Sequence, residues 1–103
     1  MTSIEKARLK LLTVVAPARL EAVLVELLQA QSVNGYTATK ATGFGQHGES
    51  RAGLISAGNL RLEVLVQPNR SDAILKAIVE RFPSEGVIAF TADVDAVPLS
   101  HWP

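Results

Sequence analysis

Residues 60–82, LRLEVLVQPNRSDAILKAIVERF, change their hydrophobic period halfway along, and this change decides the fold class. In the first third every second residue is leucine or valine, while Arg61 and Glu63 fall between them, as in a strand with one buried face. The later apolar residues recur at helical spacing. They are Ile74, Leu75, Ile78, Val79 and Phe82. Asn69 and Asp72 predict the cap of this helix, so a half-buried strand precedes an amphipathic helix.

The same pair of elements occurs near the N-terminus. The apolar run Leu9–Val15 predicts a first strand. Pro17 suits the first turn of a helix, which we expect to run from there to Gln31. The apolar stripe of that helix comprises Leu20, Val23, Leu24, Leu27 and Leu28. Asn34 and Gly35 predict the turn that follows it.

Two further strands complete the pattern. Tyr36–Phe44 is rich in threonine and aromatic residues and predicts the second strand, and Gly86–Val94 predicts the fourth. The resulting order, β-α-β-β-α-β, is that of a ferredoxin-like α+β sandwich. Two helices cover only one face of such a sheet, so we expect the other face to be covered by assembly with further copies.

A polar segment punctuated by glycines separates the second strand from the third. Its glycines are Gly43, Gly45, Gly48, Gly53 and Gly58. Long loops in compact domains usually have a function. Glycines let a backbone approach a ligand closely, and successive N–H groups in a tight loop bind anions. We therefore expect Gln46–Ala57 to change its order when a ligand binds.

Composition narrows the class of protein. The 103 residues predict a single domain spanning 1–103, and ten acidic and ten basic residues leave no net charge. Nucleic-acid binding and attachment to anionic membranes favour basic patches, so we expect neither. The chain has no cysteine, and no segment is apolar enough for a signal peptide or a membrane span. These features predict a soluble, cytoplasmic protein.

The segment Gly35–Gly45, GYTATKATGFG, resembles the second strand of PII signal-transduction proteins, in which G-x-T-x-T-x-x-x-G-F-G leads into a flexible loop. The strand Leu60–Val66 is similar to the alternating third strand of that family. The resemblance implies a homotrimer that holds a nucleotide in the clefts between its subunits. It therefore predicts a PII-like sensor without a catalytic role.

The resemblance also implies a set of site residues. Thr37 and the end of the first strand near Val14 would meet the adenine base, and Glu63 and Leu65 would line the pocket beside it. The backbone around the glycine-rich loop would approach the phosphate. The nucleotide-binding set is Val14, Thr37, Gly43, Phe44, Gly45, Gln46, Glu63, Leu65 and Gly86. His47 and Arg51 would be further donors to a small anion.

Several departures from the family pattern concern the phosphate. The lysines that typical members carry early in the third strand and after the glycine before the fourth are replaced by Asn59 and Val87, and residues 98–102 contain no arginine. Because cationic contacts dominate triphosphate recognition, we expect ADP or AMP to bind in preference to ATP. The loop has no tyrosine, since Tyr36 lies in a strand, which excludes uridylylation there.

The short loop is similar to that of the PII-like group found beside bicarbonate transporters and carboxysomes. That resemblance implies bicarbonate as a second ligand, and a bicarbonate transporter or a carboxysome-related protein as the target. No further cofactor is expected.

Other classes stay open. An ACT-like small-molecule-binding regulatory domain would bind amino acids at the first helix, and a CutA-like trimeric metal-tolerance protein would bind metal. Glu63 has a simpler interpretation as an ion-pair partner of Arg61 or Lys10 at a subunit interface. No acid–base or nucleophile pair indicates an enzyme, and His47 and His101 lack the spacing of metal ligands.

Overall fold

The computed structural model describes residues 4–42 and 58–97. In chain order the elements are β1 (Ala7–Pro17), α1 (Glu21–Ala30), β2 (Thr37–Ala41), β3 (Asn59–Val66), α2 (Pro68–Arg81) and β4 (Ile88–Ala96). The predicted order β-α-β-β-α-β is confirmed, and with it the ferredoxin-like α+β fold. The predicted loop Gln46–Ala57 lies outside the described residues.

The four strands form one antiparallel sheet in the order β2-β3-β1-β4. The central strand β1 pairs with β3 on one side and β4 on the other, so Thr13 lies opposite both Glu63 and Phe90. Strand β2 pairs with β3 and places Thr37 opposite Glu63. The register therefore brings residues far apart in sequence into common rows across the sheet.

Alternation along the strands separates two faces of the sheet. One face packs against both helices, and its side chains form the core with α1 and α2. The strand residues in that core are Leu12, Val14, Ala16, Leu60, Leu62, Val64 and Val66. In β3, leucine and valine at 60, 62, 64 and 66 are buried as the alternation predicts.

Helix α2 differs from its prediction in its start and in its apolar stripe. It begins with Pro68 in the first turn, and Gln67, which makes no side-chain cap hydrogen bond, is the cap residue. The prediction that Asn69 caps the helix is therefore wrong, because proline is already set to the helical φ and starts the helix earlier. Val79 is 64% exposed, whereas Ile74 and Ile78 are buried, so the apolar stripe is narrower than predicted.

Helix α1 also begins later than predicted. Pro17 is the last residue of β1, and a short 3-10 turn, Ala18–Leu20, separates it from α1. After the helix the backbone turns at Ser32, whose φ is +67°, and Gly35 does not have a positive φ. The Arg70 guanidinium of α2 donates to the Gln31 carbonyl and so links the end of α1 to the start of α2.

The strand bounds differ from the predictions by a few residues. β1 extends two residues beyond the predicted run at each end, and β4 covers Ile88–Ala96 in place of the predicted Gly86–Val94. β2 covers Thr37–Ala41, and the end of its predicted span, Gly43 and Phe44, lies outside the described residues. The faces of the strands are unaffected by these differences.

Candidate functional site

The face of the sheet opposite the helices, here called the open face, divides into two halves. On β1 and β4 it carries apolar side chains, including Ile88 and Phe90, which are 56% and 47% exposed. On β2 and β3 it carries Thr37, Thr39, Arg61 and Glu63. An apolar half therefore lies beside a polar half on one continuous surface.

One row of the open face joins two of the predicted site residues. Thr37 of β2 pairs with Glu63 of β3, which pairs with Thr13 of β1, which pairs with Phe90 of β4. Directly opposite residues in antiparallel strands have Cβ atoms about 4.5–5.5 Å apart. The family resemblance assigned Thr37 and Glu63 to one site, and the register of β2 and β3 makes them cross-strand neighbours.

Leu65 lies on the same face, one row further from the loop, where it pairs with Leu11. Its side chain is partly buried, as is that of Glu63. Thr37, Glu63 and Leu65 therefore form a compact group that presents a hydroxyl, a carboxylate and an apolar side chain. Such a group can contact both the polar edge and the apolar face of a planar ring.

Glu63 also has an ionic partner. The Arg61 guanidinium donates to Glu63 Oε2 at 3.3 Å, along the same strand and on the same face. Lys10, the other suggested partner, instead pairs with Asp93 at 2.6 Å on the helix-facing side. Of the two suggested partners, Glu63 thus pairs with Arg61 within the same strand, and this pair is compatible with a ligand role because both side chains remain partly exposed.

Val14 is separated from the other predicted site residues. Its side chain is 1% exposed and belongs to the core between the sheet and the helices, not to the open face. A contact between the Val14 side chain and a ligand on the open face is therefore ruled out by the alternation of β1. The family resemblance named only the end of the strand near Val14, and the Val14 side chain at that end points into the core.

Gly86 and the ends of the loop lie at one end of the sheet. Ala41, Asn59 and Pro17 pair there across three strands, and the Ala18 N–H donates to the Gly58 carbonyl at 2.9 Å. Gly86 precedes β4 at this same end and has a φ of +76°, which favours glycine. The remaining predicted site residues lie outside the described residues. They are Gly43, Phe44, Gly45, Gln46, His47 and Arg51.

Two other features, a cluster of metal ligands and a membrane-spanning helix, are not found among the described residues. Within residues 4–42 and 58–97 no group of three metal-ligating side chains comes together. Over the same ranges no helix combines the length and the hydropathy that crossing a membrane requires.

Comparison with known proteins gives one family match and many structural matches. The family profile of nitrogen regulatory protein P-II matches residues 9–99. No curated protein sequence matches the chain. Among solved structures, a candidate PII-like signaling protein from Thermus thermophilus is 35% identical, with a TM-score of 0.75 over 91% of this chain and 94% of its own.

A second structural relative is CPII, a nitrogen regulatory PII-like protein from Thiomonas intermedia. Its complex with ADP and bicarbonate is 21% identical to this chain, with a TM-score of 0.81 over 93% of this chain and 95% of CPII. Its complex with ADP, AMP and bicarbonate is 19% identical, with a TM-score of 0.76 over 89% and 96%. At these identities the likeness is one of fold.

Proposed function

The chain belongs to the nitrogen regulatory protein P-II family, and on that premise we propose that it is a non-enzymatic regulatory protein that binds an adenine nucleotide between subunits of a homotrimer. The observation that carries the proposal is the row in which Thr37 lies opposite Glu63, with Leu65 beside it on the same face. These are the side chains that the family resemblance assigns to the base and its pocket.

The apolar half of the open face supports the trimer. Ile88 and Phe90 are about half exposed in the single chain, and Leu11 and Val15 lie next to them on β1. Contiguous exposed apolar surface commonly marks a protein interface, since burying it removes it from water. Covering this half with neighbouring copies would place the polar half at the edge of a cleft between two subunits.

The missing cations support ADP or AMP as the ligand. Asn59 and Val87 supply no charge at positions where typical family members carry lysine. ATP carries more negative charge than ADP or AMP, so its binding loses most when cations are absent. CPII, which has the same fold, is bound to ADP, AMP and bicarbonate in one of its structures, and this supports the same ligands here.

Bicarbonate is the second ligand in this proposal, bound at the glycine-rich loop with His47 and Arg51 as donors. The signal would be a change of loop order that a cytoplasmic target, a bicarbonate transporter or a carboxysome-related protein, detects. Alternatives of the ACT-like and CutA-like kind are less well supported, because the family match covers residues 9–99.

A thermal-shift series tests the ligand. A ligand that binds only the native state stabilises it by about 2.7 kcal/mol at a hundredfold excess over its Kd. We therefore expect ADP and AMP to raise the Tm, ATP to raise it less, and GDP to leave it unchanged. Bicarbonate added with ADP should raise the Tm beyond the sum of the two separate shifts.

Three results would contradict the proposal at different points. If no adenine nucleotide shifts the Tm, the nucleotide function is wrong. If ATP gives the largest shift, the preference argued from Asn59 and Val87 is wrong. If bicarbonate and ADP act independently, bicarbonate is not a second ligand of this site.

A further inference from the structure

Arg61 is the single basic side chain on the open face of the described strands. It pairs across the sheet with Thr39 on β2 and Val15 on β1, and alternation directs it to the same side as Glu63. Lys40 and Lys10 lie at the alternate positions, on the side of the sheet that faces the helices. Any positive charge that these strands contribute to a ligand on the open face therefore comes from Arg61.

The rows of the sheet place Arg61 between the candidate base pocket and the loop. The row of Thr37 and Glu63 comes first, the row of Thr39 and Arg61 second, and the row at Ala41, from which the loop leaves, third. Successive rows are separated by two residues, or about 6.8 Å along an antiparallel strand. A nucleotide whose base contacts the first row and whose phosphate approaches the loop must extend past Arg61.

The contacts of Arg61 leave most of its hydrogen-bonding capacity for a ligand. The guanidinium has five N–H donors, and its ion pair with Glu63 uses one nitrogen at the long distance of 3.3 Å. The Arg61 side chain is 50% exposed, and exposed ion pairs contribute little to stability. A phosphate can displace the carboxylate at little cost, because it accepts two parallel N–H bonds from arginine.

We propose that Arg61 binds the phosphate of the adenine nucleotide and exchanges its partner Glu63 for that phosphate when the nucleotide enters. Glu63, released from Arg61, then accepts hydrogen bonds from the ribose hydroxyls. This inference rests on the proposed nucleotide function and adds a phosphate-binding residue to it. The positive charge that is missing at Asn59 is thus supplied two residues further along the same strand.

A single cation also fits the expected choice of nucleotide. One guanidinium can form a bidentate pair with one phosphate group, which suits AMP and ADP. The additional charge of a triphosphate finds no second basic side chain on the open face of the described strands. Arg61 therefore strengthens the binding of nucleotides with one or two phosphates and adds no further contact for a third phosphate.

Titration calorimetry with ADP and with adenosine separates the phosphate contact from the base contact. Charge-assisted hydrogen bonds contribute enough that Arg61→Gln should weaken ADP binding by about ten- to a hundredfold. Adenosine carries no phosphate, so Arg61→Gln should not weaken its binding, and the release of Glu63 towards the ribose can only strengthen it. Lys76→Gln is the matched control, because it removes one positive charge from an exposed ion pair, with Glu80, on the far side of the molecule; both affinities should stay unchanged.

The charge is tested separately from the shape of the side chain. Arg61→Lys keeps the charge and loses the planar fork, so it should bind ADP more tightly than Arg61→Gln and more weakly than the unaltered chain. Raising the salt concentration should weaken ADP binding to the unaltered chain more than to Arg61→Gln.

The outcomes that overturn this inference differ from those that overturn the proposed function. If the unaltered chain binds ADP and Arg61→Gln binds it equally well, the role of Arg61 is wrong and nucleotide binding stands. If Arg61→Gln weakens adenosine as much as ADP, or if Arg61→Lys is as weak as Arg61→Gln, Arg61 does not bind the phosphate. If the unaltered chain binds neither compound, the proposed function itself fails.

Discussion

Ser32 is the one described residue other than glycine with a positive φ, and it ends α1. Its N–H donates to the Gln29 carbonyl at 2.9 Å, and the Val33 N–H donates to the Leu28 carbonyl at 2.8 Å. This is the Schellman pattern, in which a left-handed residue lets the last carbonyls of a helix find donors. Val33 is buried in the same core as Leu28, so the turn also directs the chain towards β2.

Ser32 should therefore be replaceable by glycine with a gain in stability. A non-glycine residue in the left-handed region costs about 1–2 kcal/mol, and glycine removes this strain. The larger conformational entropy of glycine in the unfolded chain offsets part of the stability so gained. We expect Ser32→Gly to raise the free energy of unfolding by about 0.5–1 kcal/mol in urea titrations. Ser32→Ala, which keeps the Cβ, should give no increase; a less stable Ser32→Gly would contradict the argument.

At the scale of elements, β1 and β4 carry a ladder of ion pairs towards the end where they extend beyond β3. Arg8 Nε lies 2.9 Å from Asp95 Oδ1, and Lys10 Nζ lies 2.6 Å from Asp93 Oδ1. The hydrogen bond and charge of Lys10 lower the pKa of Asp93, and those of Arg8 lower the pKa of Asp95. The Arg8, Asp93 and Asp95 side chains are at least half exposed and that of Lys10 is 31% exposed, so each pair is screened by water and salt.

The ladder predicts a pH-dependent contribution to stability. Because the folded pKa values of both carboxyls lie below their ordinary value of 3.8, the contribution is complete above that pH and is lost as the pH falls below it. The double variant Asp93→Asn, Asp95→Asn should have a slightly lower Tm than the unaltered chain at about pH 7, and the difference should shrink at about pH 3.

The control for this prediction is Glu26→Gln, which removes an exposed carboxylate from α1. It should give no comparable difference at either pH. High salt at neutral pH should reduce the effect of the double variant, since exposed pairs are screened. A difference that grows as the pH falls would contradict the assignment of the pKa shifts to these pairs.

Some features of the strands and helices could be predicted from the sequence, and others could not. Alternation in residues 60–66 predicted both the strand and its faces, because a period of two depends on local geometry alone. The predicted start of α2 was wrong because Pro68 and Asn69 are both typical of helix starts, and the sequence alone does not decide between them. Val79 was assigned to the core because it lies one helical turn after Leu75, at the edge of the apolar stripe.

The candidate site was predicted in part for a related reason. Glu63 was correctly expected beside Arg61, since residues two apart on a strand share a face. The row that joins Thr37 to Glu63 depends on the register between β2 and β3, which are separated by a long loop, and no local pattern reports that register. The face of Val14 was missed because only the packing of the helices identifies which face of β1 they cover.

At the scale of the whole molecule, the sheet has one covered face and one face that is open in the single chain. Phe90 ends the row of Thr37, Glu63 and Thr13, so the apolar surface and the candidate nucleotide site belong to the same face. If neighbouring subunits cover the apolar half, the nucleotide lies where they meet. Assembly and nucleotide binding should then be lost together.

Sedimentation equilibrium with ADP, followed by adenine absorbance, measures both properties at once. We expect ADP to sediment with a particle three times the 11.0 kDa mass of the chain, with one ADP bound per chain. Phe90→Glu should abolish this particle and its bound ADP, whereas Val79→Glu, which alters an exposed apolar residue of α2, should change neither. Two results would contradict the trimeric nucleotide site. ADP could sediment with a single chain, or it could stay unbound at ADP concentrations well above the Kd values usual for adenine-nucleotide sites.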